Sequence, residues 1–359
     1  MNFNMVHFIY DHINNPWVGG GGAVRCYELN KRLAEKGHNI TIISGKYPNA
    51  KDYSEGNLSF KFLGTDKSYK LSVFSYAFES IRYLKNHAKE YDIIVEDFAP
   101  WNPVFSFLFH KKTVLQLHQR EGLQILKRYG FFGLPFYLIE KFYPRIYKNI
   151  ICVSEISLNK FKLKGKVIPN GIDEKIIEKD INIGNYIGFI GRIDIFHKGL
   201  DLLLEAFKDI KFHLKIAGKG KDELKLKNLI TEKGLNNNIE ILGFLTGQEK
   251  LNFIKNAKFI VMPSRFEAQG IVALEAASMG KPLIVSNIPE LSYVVENGFG
   301  LSFKREDPEE LKDKIITLWE NEEMILQMGK NAVEYAKKFT WDKLAIEYEK
   351  FLIETLSND

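Results

Sequence analysis

Residues 263–280 read PSRFEAQGIVALEAASMG. The four residues before them, Phe259-Ile260-Val261-Met262, have the length and branching of a buried strand. Pro263 ends that run, and Gly270 opens an apolar stretch with the length of a helix. The pattern predicts strand, short loop and helix, with Glu267 in the loop and Glu275 on the helix's second turn. That unit belongs to α/β proteins with parallel sheets. The start of such a helix offers unpaired N–H groups and the positive end of its dipole, which suit an anionic ligand. Two carboxylates beside it suit hydroxyls rather than a metal. The stretch predicts a site for a sugar attached to a phosphate.

Working outward, strand-like runs alternate with helical patterns along the whole chain. In the first half they fall at Val6–Tyr10, Ile40–Ile43, 58–63, 91–95, 112–117 and 150–154. In the second they fall near 185–190, 212–217, 238–242, 259–262 and 282–286. Between the two series, Lys166 to about 183 is rich in turn formers and charges, which marks a domain boundary. The fold class is α/β with two parallel-sheet domains, as a length of 359 residues also suggests. The segment 308–356 reads as helices with no strand between them.

Composition narrows the class of protein. An apolar fraction of 45% and a charged fraction of 26% are those of a soluble globular protein. No run approaches the roughly 18–20 apolar residues of a membrane span. The N-terminus, MNFNMVHFIYD, enters a strand with no signal-peptide pattern, and a cytoplasmic location is expected. Cys26 and Cys152 are too few for a disulfide framework or a zinc site. The net charge of +5 is uneven. Residues 1–170 carry 24 Lys+Arg against 14 Asp+Glu, or +10, leaving 26 against 31, or −5, for residues 171–359. The basic half suggests an anionic partner such as a membrane surface or a phosphorylated acceptor. Residues 127–148, KRYGFFGLPFYLIEKFYPRIYK, mix cations with aromatics, a composition suited to the membrane interface. Gly133, Pro135 and Pro144 break any single long helix there.

Further motifs lie at strand ends, where ligands of open α/β sheets gather. Gly19, Gly20, Gly21 and Gly22 form a loop between the first strand and a helix from Ala23 to Glu35, and let the backbone approach a ligand. A dinucleotide fingerprint overlaid on Gly19 and Gly21 fails at Val24, which argues against a dehydrogenase. His118 ends the strand 112–117. Gly191 and Arg192 follow the strand 185–190, and Lys198 lies six residues beyond Arg192. The fork of Arg192 and the point charge of Lys198 can converge on one pyrophosphate and stabilise its charge as it departs. Gly218 and Gly220 follow the next strand, and Phe244, after the one beyond, offers its backbone to a base edge.

Taken in order, these motifs resemble the GT-B retaining glycosyltransferases of family 4, also called group 1. The likeness rests on LAEKGHNITIIS (33–44) after the glycines, VIPNGID (167–173), GRIDIFHKGLDLLLEAF (191–207), IAGKG (216–220), PSRFEAQGIVALEAASMGKPLIVS (263–286) and PELSYVVENGFGLSF (289–303). It covers essentially the whole chain and is densest from 167 to 303. It implies two Rossmann-like domains facing an interdomain cleft: residues 1–165 with a terminal helix at 340–359 binding acceptor, and 166–339 binding a nucleotide-sugar donor. Arg192 and Lys198 then resemble the pair that grips the diphosphate. Glu267 resembles the first glutamate of the E-x7-E motif, holding sugar hydroxyls, and Glu275 the second, on the ribose. Gln269, Gly270 and Ile271 would cap sugar and phosphate with their backbone, though the family often has an aromatic residue at 269. Gly19–Gly22 would close over the diphosphate, Asn170 belongs to the VIPNGID motif of the donor site, and His118 resembles the histidine near the sugar's C6.

The resemblance implies a retaining transfer of a hexose-type sugar to a hydroxyl of a saccharide or lipid-linked acceptor, in cell-envelope or glycan synthesis. A UDP-sugar is favoured over a GDP-sugar. Glu96-Asp97 is not the D-x-D metal signature of the other glycosyltransferase fold, so no metal and no cofactor are expected. No nucleic-acid partner is expected. Two alternatives share the fold: a sugar-nucleotide 2-epimerase and a catalytically silent binding protein.

Overall fold

The strand runs of the sequence assemble into two separate sheets. The computed structural model describes residues 2–18, 20–178, 180–267 and 269–357. One unit takes the chain up to Asn170 and again from Trp341, and the other takes Gly171–Thr340.

Among the described residues the first unit holds eight strands: β1 (Asn4–Phe8), β2 (Asn39–Gly45), β3 (Tyr53–Glu55), β4 (Leu58–Leu63), β5 (Ile93–Asp97), β6 (Thr113–Leu117), β7 (Asn149–Cys152) and β8 (Lys166–Val167). Their order is β3-β4-β2-β1-β5-β6-β7-β8, parallel except for the β3–β4 hairpin. The second holds six parallel strands: β9 (Tyr186–Ile190), β10 (Leu214–Ala217), β11 (Ile239–Gly243), β12 (Ala257–Met262), β13 (Leu283–Ser286) and β14 (Gly300–Phe303), in the order β11-β10-β9-β12-β13-β14. Central strands are covered on both faces, so β12 is buried throughout and reads as a continuous run instead of an alternation.

Several bounds differ from expectation. The first helix is Gly21–Glu35, so Gly21 and Gly22 form its opening turn rather than a loop. The change of unit comes at Asn170/Gly171 and not at 165/166, because Lys166–Val167 pairs with β7 at the edge of the first sheet. A helix at Tyr69–His87, capped by the Ser68 hydroxyl on the Leu71 amide, lies between β4 and β5. The last helix, Trp341–Ser357, packs Trp341, Leu344, Tyr348 and Leu352 into the core of the first unit against Leu29 and Leu33. Each such side chain contributes about 1.5–3 kcal/mol. Arg32–Asp342 and Lys36–Glu349 ion pairs fasten its outer face.

Glycine is required where backbones meet. Gly199 has φ +63°, and a Cβ there would lie 2.0 Å from the Pro263 carbonyl oxygen. Gly56 has nearly the same φ, +61°, with nothing within 4 Å of its Cβ position. The left-handed conformation alone costs a non-glycine residue about 1–2 kcal/mol. Gly56→Ala is expected to lose about that much in urea denaturation, and Gly199→Ala at least about 2 kcal/mol more because a backbone segment must move. Equal losses would show that the approach to Pro263 relaxes freely.

Candidate functional site

Polar side chains collect at strand ends in both units. In the second sheet the chain runs from β9 outward to β10 and β11, then returns to the other side of β9 as β12. That reversal leaves a crevice at the carboxyl ends of β9 and β12, where ligands of open α/β sheets bind. The segment after β9 leads into a short helix, Ile195–Lys198, and the segment after β12 runs from Pro263 to Gly270. Lys198 and Glu267 meet there: Lys198 Nζ donates to Glu267 Oε1, which also accepts from Ser264 Oγ at 2.8 Å.

Arg265 holds these two segments in register, a role its place in the motif did not reveal. Its backbone N–H donates to the His197 carbonyl at 2.9 Å, and Nη1 donates to the Phe196 carbonyl at 2.9 Å. Its guanidinium forks onto Asp201 at 2.7 and 2.8 Å and onto Glu306 at 2.6 and 2.6 Å. Burial would lower its pKa, but the two carboxylates outweigh this and hold the pKa well above the ordinary guanidinium value. Asp194 caps the short helix by accepting from the His197 amide at 3.1 Å. Burial pushes its carboxyl up, yet that amide and Lys221 bring it down to about 2.

Glu275 lies on the helix Ile271–Ser278, whose cap Gly270 has φ +66° and whose first turn carries no acidic residue. Its Oε1 accepts from Lys250 Nζ at 2.5 Å, while its Oε2 is buried without a hydrogen-bond partner. Tyr293 OH donates to the Gln269 carbonyl at 2.9 Å and fixes the loop before Gly270 and Ile271. Arg192 is exposed and stands outside the Lys198–Glu267 contact. Gly191 is closer in: a Cβ there would lie 4.0 Å from Lys198 Cε. Gly218 and Gly220 have a reason internal to the fold. A Cβ on them would lie 1.8 Å from the Gly191 carbonyl oxygen and 2.2 Å from that of Ile193. Phe244 is exposed, with Lys219 Nζ 4.2 Å from its ring centroid.

The first unit gathers a second polar group at the carboxyl ends of β1, β5 and β6, where the sheet again reverses direction between β1 and β5. His118 Nε2 is hydrogen-bonded to Asp97 Oδ1, and His7 Nε2 to Asp97 Oδ2 at 2.7 Å. Burial alone would raise the Asp97 pKa, but His118 and His7 hold it well below the carboxylate range. Asp11 follows β1. Burial pushes its carboxyl up to about 6, against an opposing pull from His118. A Cβ on Gly22 would lie 3.7 Å from the His118 ring, and one on Gly20 would lie 3.8 Å from Asp11 Oδ2. Gly19 lies outside the described residues. Asn170 is buried as the last residue of this unit, not in the unit that carries Lys198 and Glu267.

Donor atoms of His7, Cys26 and Asp97 lie within 4.8 Å of one another, a spacing open to a metal. Each is already engaged: Asn30 Nδ2 is 2.8 Å from His7 Nδ1 and 3.3 Å from Cys26 Sγ, and burial holds the Cys26 thiol well above its usual pKa. The cluster fits a hydrogen-bonded core better than a metal centre. Asp97 and Arg265 are the two residues whose importance the sequence did not disclose, since their partners are 19 to 90 positions away.

Comparison with known proteins bears on the family and the fold. Residues 173–335 match the family described as Glycosyl transferases group 1, and residues 19–175 match Glycosyltransferase Family 4. An uncharacterized glycosyltransferase of Methanocaldococcus jannaschii is 33% identical over 360 residues, covering 96% of each chain. Sucrose-phosphate synthase from Thermosynechococcus elongatus superposes with a TM-score of 0.83 at 18% identity, covering 98% of each chain. The Anabaena protein HepE, solved with UDP and glucose, gives a TM-score of 0.76 at 18% identity over 98% of this chain and 100% of its own. These structures share the GT-B fold.

The raised pKa of Asp11 has a signed consequence. Between about pH 4 and 6 the folded protein retains a proton that the unfolded chain has lost, so stability falls as pH rises through that window. Asp11→Asn is therefore expected to gain about 1–3 kcal/mol over wild type between pH 4 and 6 and to hold that gain above it. Urea denaturation at several pH values measures the difference; a pH-independent difference would contradict the buried, ionisation-resistant carboxyl.

Proposed function

The chain belongs to the group 1 glycosyltransferases, and from that membership we propose that it moves a hexose-type sugar from a nucleoside diphosphate to a hydroxyl of a saccharide or lipid-linked acceptor, retaining the anomeric configuration. The observation that carries this reading is the Lys198–Glu267 contact at the β9/β12 reversal. In it, Lys198 exchanges Glu267 for the donor's diphosphate, and Arg192 adds a second cation from the same loop. Glu267, released from Lys198 but still held by Ser264, accepts from sugar hydroxyls. Glu275 turns its unpartnered Oε2 to the ribose, and the N-terminus of the helix Ile271–Ser278 faces phosphate. A UDP-sugar is the favoured donor, a choice supported by the UDP and glucose held by the Anabaena neighbour.

The proposed step needs no protein nucleophile. The bond from the anomeric carbon to the departing phosphate oxygen breaks as the acceptor oxygen bonds that carbon on the same face. The acceptor's proton passes to the phosphate oxygen. Arg192 and Lys198 neutralise the diphosphate, so the reading includes metal independence. Lys198→Ala and Glu267→Ala should each lower turnover at least about 100-fold with thermal unfolding within a few degrees of wild type. Nucleoside-diphosphate release should require acceptor and survive chelation of metals. Folded variants with near-normal rates, or donor interconversion without acceptor, would overturn the reading in favour of a different site or a 2-epimerase.

The same reading places the enzyme in the cytoplasm, on the inner face of a membrane. Among the described residues no helix is long and apolar enough to cross a membrane. Between the helices Gln124–Tyr129 and Leu134–Phe142, however, Phe131 and Phe132 are 83% and 84% exposed. Lys127, Arg128 and Lys141 flank them in sequence. Exposed aromatics with cations on either side in the sequence suit an anionic lipid surface. Sedimentation with vesicles containing phosphatidylglycerol should retain the protein, and Phe131→Ser with Phe132→Ser should weaken binding about 10-fold. Equal binding by the double variant would remove this surface from the proposal.

A further inference from the structure

His7, Asp97, Gln116 and His118 converge because of strand register. Phe8 pairs with Glu96 and Asp97 with Gln116, so Asp97, Gln116 and His118 share one face of the sheet, and His7 shares it from β1. The helix Gly21–Glu35 lies over that face and supplies Asn30, Cys26 and Arg25. Both Asp97 oxygens are filled. Oδ2 takes His7 Nε2 at 2.7 Å, and Oδ1 takes Gln116 Nε2 at 2.8 Å together with His118 Nε2.

Asn30 Nδ2 donates to the Cys26 carbonyl at 2.8 Å, which identifies it as the amide nitrogen. It also meets His7 Nδ1, so that ring atom must accept and Nε2 must carry the proton. The fully buried Arg25 acts on Asp97 through its charge without a hydrogen bond to it, and helps keep the carboxylate ionised. An ionised Asp97 can only accept, so His118 Nε2 is also protonated. The atom of His118 left over is Nδ1, on a ring whose side chain is 27% exposed, whereas His7 and Asp97 are 1% and 5% exposed.

We propose that Asp97, clamped by His7 and Gln116, is a positioning residue that locks His118 as its Nε2–H tautomer and so presents Nδ1 to the substrate. The inference rests on the reading of His118 as a group that contacts the glycosyl donor, and it adds the means by which one ring atom is selected. Asp97 itself touches no substrate. Its effect passes entirely through His118, and His7 acts one step further back by holding the second carboxylate oxygen. An amide at position 97 offers an N–H to one of the two rings and breaks that selection without changing size.

A double-mutant cycle with ring-nitrogen NMR tests this. Asp97→Asn is expected to lower kcat about 10- to 100-fold with donor KM within about twofold. In a His118→Ala background the same substitution is expected to add less than about twofold. Selective histidine labelling should show His118 in the wild type with a protonated Nε2 and a bare Nδ1, and a shifted tautomer in Asp97→Asn. A multiplied loss in the double variant, or a protonated Nδ1 on neutral His118, would overturn the proposal. The wild-type spectrum decides the tautomer even if Asp97→Asn does not fold. It also separates the two levels of inference, because a correct tautomer in a protein that transfers no sugar would defeat the glycosyl-transfer reading and leave the locking of His118 intact.

Discussion

At position 199 any side chain would run into the carbonyl of Pro263, and that close approach is the constraint on which the second unit's site depends. It brings the end of the Ile195–Lys198 helix against the end of β12, so that Lys198 and Glu267, 69 residues apart in sequence, touch. Backbone contact alone would leave the two segments free to slide. Arg265 removes that freedom, because its main chain and guanidinium bond to both segments and to two outlying carboxylates. A buried guanidinium satisfied from so many directions is a rigid spacer, and losing either of its carboxylate partners would leave two of its N–H donors without their acceptors.

The first unit uses two neighbouring carboxylates in opposite ways. Glu96 is fully buried and accepts from Tyr143 OH at 2.6 Å, Tyr147 OH at 2.7 Å and the amides of Val104 and Ser106 at 2.9 and 3.2 Å. It ties the segment after β5 to the stretch at 143–147. Asp97, one residue on, points to the other face of the strand and meets two imidazoles. The period of a strand thus divides structure from chemistry between consecutive residues.

Much of the fold was legible because buried parallel strands are written as short apolar runs, and helices between them by their caps and glycines. What escaped was short or conditional on partners. The strands Tyr53–Glu55 and Lys166–Val167 exist only because a neighbour pairs with them, and two residues at a sheet edge have no period to read. Lys198 and Glu267 could be placed beyond strand ends from the sequence, and Glu275 on the helix that follows, because the motif carries those boundaries in its prolines and glycines. Asp97 and Arg265 could not, since an acidic or basic residue declares its role only through partners brought by the fold. Gly218 and Gly220 were noticed for the right feature, a need for bare backbone, though the neighbour that demands it is the 191–193 loop.

The Lys198–Glu267 pair also has a bearing on selectivity. A simple anion that captured Lys198 would strand the Glu267 carboxylate, which is 9% exposed, without its cation, so part of what the anion gains is lost at once. A ligand that offers negative charge to the lysine and hydroxyls to the carboxylate in the same event satisfies both. On the proposed reading the pair would work as a coincidence detector: it would discount inorganic phosphate, abundant in any cell, and reward a molecule in which the two chemistries are already joined.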